Sequence, residues 1–259
     1  MREHVRNVLK RLGLYSAARK VLDVWRQRQQ IARARAFYRQ FIRPGDLVFD
    51  IGANVGSRTA IFLSLGARVL AVEPQADCMA QLKAHFGRHP RAAFYLGGAA
   101  AAPGELELHL STVNATSSFS PEWIECLKNR PGWENHRWYA TQKVPVTTLD
   151  ALIAAHGTPV FIKIDVEGYE LPVLQGLSQA VAALSFEYSP EMLSAAAACM
   201  ARLQQLGVYE FNAVYKESFA FMRSEWTTAE AVMQLLEHHP IKHRSGDIYA
   251  RLRGEYVQN

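Results

Sequence analysis

Cysteine is scarce in this chain of 259 residues: Cys78, Cys126 and Cys199 are the three present, far apart and odd in number. That excludes a disulfide framework and a metal knuckle. Sixteen glycines and eleven prolines are too few for a collagen-like or low-complexity chain. No apolar run approaches the roughly 18 residues of a membrane span. The first residues, MREHVRNVLKRLGLY, lack the apolar centre and small-residue cleavage site of a signal peptide, so the cytoplasm is the expected compartment. What is present is ordinary: 49% apolar, 20% charged and 10% aromatic residues. Such a chain buries a sizeable core as one large domain or as a domain with an appendage.

The net charge of +5 hides an asymmetry. Residues 1–43 carry 12 Lys and Arg against 2 Asp and Glu, leaving 17 against 22 in residues 44–259. The body is mildly acidic, so a nucleic-acid reading rests on the first segment alone. That segment has helical spacing: Val5, Val8, Leu9 and Leu12, a break at Gly13, then Ala18, Val21, Leu22 and Trp25. The plainer reading is a basic helical arm (1–43) whose apolar stripe packs on the main domain (44–259). The alternative is peripheral contact with an anionic lipid surface or an acidic partner.

From Pro44 short apolar runs alternate with helical patterns. LVFDI (47–51) precedes a helix from Gly56, and RVLAV (68–72) precedes one from Gln75. AAFYL follows; VFIKI (160–164) then precedes a helix from Glu167, and ALSFE (183–187) precedes one opened by Ser189 and Pro190. This alternation predicts βαβ units around a parallel sheet, whose ligands sit beyond the carboxyl ends of the strands. GELELHL (104–110) and KVPVTTL (143–149) read as an added antiparallel pair. Between them an insert (about 104–149 with its strands) holds Phe119, Trp123, Trp133, Trp138 and Tyr139, a packed flap or a sugar-stacking lid.

Three segments carry chemistry. In LVFDIGANVGSRT (47–59) a strand ends at Asp50, and Gly52, Asn54 and Gly56 turn into a helix whose free amides suit an anionic group. The dinucleotide fingerprint fails, since Asn54 and Ser57 occupy its second and third glycine positions. An acid at the strand end repels a pyrophosphate but suits an ammonium or sulfonium, and S-adenosylmethionine carries both. In VLAVEP (69–74) Glu73 closes the second strand, where an acid accepts ribose hydroxyl protons. In FIKIDVEGYELPVLQGL (161–177) Asp165 reaches the central crevice, with Glu167 and Glu170 read as first-turn acids of the next helix.

DIGANVG, AVEP, VTTLDAL and KIDVEGYELPVLQG, with the closing DIYARL, stand in the order and spacing of the FkbM-type methyltransferases, which the chain resembles over about 45–252. The resemblance implies an α/β class I Rossmann-like fold, a seven-stranded, mostly parallel sheet with one antiparallel strand and helices on both faces. It implies S-adenosylmethionine as cofactor and methyl transfer to a hydroxyl of a sugar, glycan or secondary metabolite. By the same resemblance Asp50, Gly52, Ala53, Asn54 and Gly56 line the methionine end, Glu73 and Pro74 the ribose, and Gly98 stands near the adenine.

An alcohol needs a base, because its neutral oxygen is a poor nucleophile. Asp165 and Glu187 are the first candidates, His136 in the insert a third, and His243 a weaker one. An alternative makes Asp165 a ligand of a divalent cation such as Mg²⁺, though no three-ligand set is evident in the sequence. The rival functions are an RNA methyltransferase, supported by the basic arm, and a non-catalytic S-adenosylmethionine-binding module. An NAD-dependent dehydrogenase fails on the glycine pattern.

Overall fold

The computed structural model describes residues 15–239, apart from 129 and 131, and residues 245–254. The first stretch of the arm, with Val5, Val8, Leu9, Leu12 and Gly13, lies outside the described residues, as does His243. Seven strands form one sheet: β1 (Leu47–Ile51), β2 (Arg68–Glu73), β3 (Ala92–Leu96), β7 (Phe161–Ile164), β8 (Ala183–Tyr188), β9 (Tyr209–Tyr215) and β10 (Gly246–Leu252). Their order is β3-β2-β1-β7-β8-β10-β9, with β10 antiparallel to both neighbours and the pairings β3-β2-β1-β7-β8 parallel. The expected seven-stranded, mostly parallel architecture is met.

The strands read as continuous apolar runs because both faces are covered. Phe49, Ile51, Ile162, Ile164, Leu184 and Phe186 share one core. It is packed by α5 (Leu149–His156), α6 (Glu170–Gln175), α7 (Leu193–Leu206) and α8 (Ala229–His238). The alternate residues Val48, Phe161, Ala183 and Tyr249 face α1 (Tyr15–Tyr38) and α2 (Ser57–Ser64). The helix α3 (Ala76–Phe86) packs Met79 and Leu82 on Ala71.

The arm departs from expectation. Its packing face is Ala34, Phe37 and Tyr38, continued by Phe41 and Ile42, all buried against Phe62, Phe161 and Tyr249. Each fully buried aromatic of this kind contributes roughly 1.5–3 kcal/mol. Leu22 and Trp25 of the stripe read from the sequence are exposed instead. The periodicity was real, but the aromatic run near the helix end supplies more buried area and decides which face turns inward.

The insert forms a second sheet in which β6 (Trp138–Thr147) pairs antiparallel with β5 (Gly104–Ser111) and parallel with β4 (Gly98–Ala99). Thr148 leaves the strand to cap α5, its hydroxyl accepting the Ala151 amide at 3.1 Å. Ser189 does not cap a helix as expected. Its hydroxyl donates to Glu191 at 2.6 Å, and a 3₁₀ turn, Pro190–Met192, precedes α7.

Candidate functional site

The strand order reverses between β1 and β7, so a crevice opens there beyond the carboxyl ends of the strands. The Asp165 amide donates to the Ile51 carbonyl at 2.9 Å, joining the two ends. Gly52 sits at φ +81°, and a Cβ built on it would lie 1.8 Å from the Asp165 backbone oxygen. Only glycine allows this approach.

A cleft follows, lined by Gly52, Asn54, Glu73, Pro74, Gly98 and Asp165, with Gln75, Asn114, Phe119 and Glu167. Five of the eight residues expected at the cofactor thus line one cavity. The other three shape it from beneath. Asp50 is buried and accepts the Thr59 hydroxyl at 2.6 Å, Ala53 packs against Met79 and Leu82, and Gly56 precedes α2 close to Leu82 and Phe86. Asp50 shares the strand face of Val48, which turns it toward α2 instead of the cleft.

Glu73 is 2% exposed, and its two carboxylate oxygens accept the amides of Asn54 at 2.8 Å and Gln75 at 2.9 Å. Burial pushes its carboxyl up to about 7, with the two amides opposing. The insert closes the other side of the cleft. The Gln75 side chain donates to the Asn114 carbonyl at 2.9 Å and accepts the Ser117 hydroxyl at 3.1 Å. The Ser118 hydroxyl donates to the Glu167 carbonyl at 2.6 Å.

Beside the cleft three carboxylates converge: oxygens of Asp165, Glu167 and Glu187 all lie within 4.8 Å of one another. Burial raises the Asp165 carboxyl, yet the Lys163 ammonium 3.0 Å away outweighs it and holds the group low. Burial and the neighbouring acids push Glu167 and Glu187 well above the ordinary range. The cluster therefore combines an ionised acceptor with proton-holding neighbours, and such groups titrate together. Three oxygens at this spacing can equally gather a divalent cation. Lys163 is fully buried, and its second partner is Asp247 at 3.1 Å.

Glu167 is not in a helix, correcting the expectation. Residues 165–169 form a loop with Glu167 at φ +55° and Gly168 at φ +87°, and α6 starts at Glu170. The Glu170 carboxylate folds back onto this loop, accepting the amides of Val166 at 3.3 Å and Gly168 at 3.1 Å. Burial pushes Glu170 up to about 7. A second, smaller pocket adjoins the acids, lined by Glu187, Glu170, Trp123, Met192 and Cys199.

His136 is not gathered with these acids. It lines neither cavity, and its ring lies 4.3 Å from that of Trp133 in the insert. Trp133 and Trp138 meet Trp123 edge-on and pack around α4 (Pro121–Lys128), which makes the tryptophans a packed flap. Phe119 is the aromatic residue of the insert that faces the cleft.

Residues 50–239 match the model of the methyltransferase FkbM domain. The chain belongs to the FkbM methyltransferase family. A hexuronic acid methyltransferase of Haloferax volcanii is 29% identical over 144 residues, 54% of this chain and 54% of that one. The chain thus matches about half the length of that relative. Among solved structures, a TehB-like SAM-dependent methyltransferase of Corynebacterium glutamicum is 10% identical, covering 92% of this chain and all of that one, at a TM-score of 0.44. Fibrillarin of Aeropyrum pernix, solved with S-adenosyl-L-methionine, is 11% identical, covering 80% and 67%, at a TM-score of 0.42. Family membership makes S-adenosylmethionine the cofactor, and the sheet order is that of a class I methyltransferase fold.

Within this FkbM domain the sequence reading gave no site role to Lys163, Asp247, Gln75 or Asn114, and did not single out Phe119 from the other aromatics of the insert. Lys163 had a legible signal, a lysine inside an otherwise apolar central strand, where a buried charge demands partners. Asn114 had none, and nothing marked Phe119 as the aromatic that faces the cleft, because their place depends on how the insert folds over the sheet.

Proposed function

We propose that this protein transfers a methyl group from S-adenosylmethionine to a hydroxyl of a sugar, with a hexuronic acid-containing glycan as the favoured class of acceptor. The observation that carries the reading is the junction of the cleft with the Asp165–Glu167–Glu187 cluster. The cleft fits the cofactor chemically. Glu73 offers a carboxylate for paired ribose hydroxyls, Gly52 keeps the turn free of a side chain, and Phe119 and Ala99 give apolar walls. With these groups around it the protein positions the ligand and excludes water. When bound, S-adenosylmethionine supplies an electrophilic methyl group. Asp165, 38% exposed in its side chain and ionised beside Lys163, takes the acceptor hydroxyl proton as the oxygen gains the methyl. Glu187 belongs to the cluster and also lines the second pocket, so the acceptor hydroxyl approaches Asp165 from that side. The Haloferax relative's name supports the acceptor class. The reaction belongs in the cytoplasm, in keeping with three free cysteines.

The test is a screen with methyl-labelled S-adenosylmethionine over hexuronic acid glycans, neutral nucleotide sugars and a short RNA. Label on the uronic glycans supports the reading, and label on RNA alone refutes it. A chelator arm separates the two uses of the acids. Indifference supports the proton role, and loss restored by Mg²⁺ assigns the cluster to a cation.

A pH prediction follows from Glu73 and Glu170, both pushed to about 7 from an ordinary 4.5. Between those values the folded chain binds more protons than the unfolded one. Their contribution to stability is therefore intact below about 4.5 and is lost as pH rises through about 7, by about 3 kcal/mol each. The Tm of the ligand-free protein should fall between pH 5 and 8. Ribose hydroxyls donate to ionised Glu73, so S-adenosylmethionine should raise Tm more at pH 8 than at pH 5.5. Glu73→Gln should cost about 1.5–3 kcal/mol of cofactor binding and remove that pH dependence. Calorimetric titration at both pH values checks this, and an affinity unchanged by the variant would refute the role of Glu73.

A further inference from the structure

The helix α1 has two faces, and the cleft uses neither. Its inner face, Ala34, Phe37 and Tyr38, is buried in the core. Its outer face carries Leu22, Trp25, Gln29, Ala32 and Ala36, spaced three and four residues apart and therefore aligned along one side. All five are exposed, Trp25 by 58%. By helical spacing Arg28 and Arg39 flank this stripe on one side and Arg33 on the other, and all three are exposed. Residues Tyr15–Tyr38 hold six Lys and Arg against one Asp, within a segment 1–43 of 12 against 2. Glu217, beside this helix, is engaged by Arg58 at 2.9 Å and by the side-chain amide of Gln30.

We infer that the outer face of α1 is a docking surface for an anionic lipid bilayer. A face with Leu22 and Trp25 at one end, small alanines beyond Gln29 and arginines on both flanks matches a helix lying in the plane of the interface. There the ring enters the headgroup boundary and the guanidinium groups reach lipid phosphates. Charge complementarity favours this occupant over a second copy, because two such helices would set arginine rows against each other. Leu22, Ala32 and Ala36 offer nothing to a phosphate backbone, which disfavours RNA. No helix among the described residues is long and apolar enough to cross a membrane, so the attachment is peripheral. Docking of this kind brings the enzyme to acceptors held at a membrane surface.

The test uses the full chain and sedimentation with vesicles of phosphatidylcholine, with or without 30% phosphatidylglycerol. Binding to the anionic vesicles should exceed binding to the neutral ones at least tenfold, and should weaken as salt rises. Trp25→Ala should lower it about tenfold and Trp25→Phe much less, while each of Arg28→Ala and Arg33→Ala lowers it about fivefold. These positions are exposed, so Tm and cofactor titration should stay at wild-type values, which separates this inference from the reading of the cleft. Equal binding to neutral vesicles, or binding unchanged by Trp25→Ala, would overturn it. So would vesicle-independent dimerisation or RNA binding that Trp25→Ala abolishes.

Discussion

Asp165→Asn should leave S-adenosylmethionine affinity within about twofold and lower turnover by about 10²–10⁴, the usual worth of a general base. The substitution keeps the size of the side chain and removes the charge that Lys163 stabilises. It leaves the backbone contact with Ile51 intact. The amide can still accept a hydrogen bond from the acceptor hydroxyl, but it cannot take the proton. Lys163 keeps Asp247 as a partner at 3.1 Å, so the variant should fold. Glu187→Gln should be milder, because burial and the neighbouring acids already favour its protonated form, which the amide imitates. Single-turnover kinetics with a uronic glycan distinguishes the two variants. Near-normal turnover in Asp165→Asn would move the proton role to Glu187 or Glu167.

Gly52→Val carries the second large effect, and here the structure alters what the sequence suggests. From the motif alone, the substitution blocks the ligand and spares the fold. The Cβ position 1.8 Å from the Asp165 oxygen makes that impossible, because the end of β7 itself must move. The turn and the carboxylate cluster shift together, and a β-branched residue at φ +81° adds strain of about 1–3 kcal/mol. Cofactor binding should be lost and Tm should drop by more than 5 °C. Gly45→Ala is the control. It shares a left-handed φ of +92° but has nothing within 4 Å of the added Cβ, so it should cost about 1 kcal/mol and leave binding unchanged. A Gly52→Val protein with wild-type Tm and affinity would contradict the geometry.

The parallel core was legible because strands covered on both faces are predominantly apolar, and LVFDI, RVLAV and VFIKI are apolar apart from Asp50, Arg68 and Lys163. The cleft was half legible. Gly52, Asn54 and Glu73 carry their own local signal, a turn that no side chain fits and an acid at a strand end. Phe119 and Asn114 reach the cleft through a fold-over of the insert that no local pattern encodes. The arm misled because apolar spacing identifies a stripe without saying which way it faces. Four aromatics near its end, Phe37, Tyr38, Phe41 and Phe219 from a distant loop, decide that by packing together. The assignment of Glu167 to a helix failed because Gly168 permits a left-handed loop that Glu170 then holds.

Hydrogen–deuterium exchange of the full chain with and without S-adenosylmethionine tests the central claim most directly. The account predicts slowed exchange in 52–54, 73–75 and 97–99, the backbone around the cleft, and in 114–119 of the insert, with α1 unchanged. Protection confined to α1 and residues 215–219, with none around Gly52 and Glu73, would contradict it.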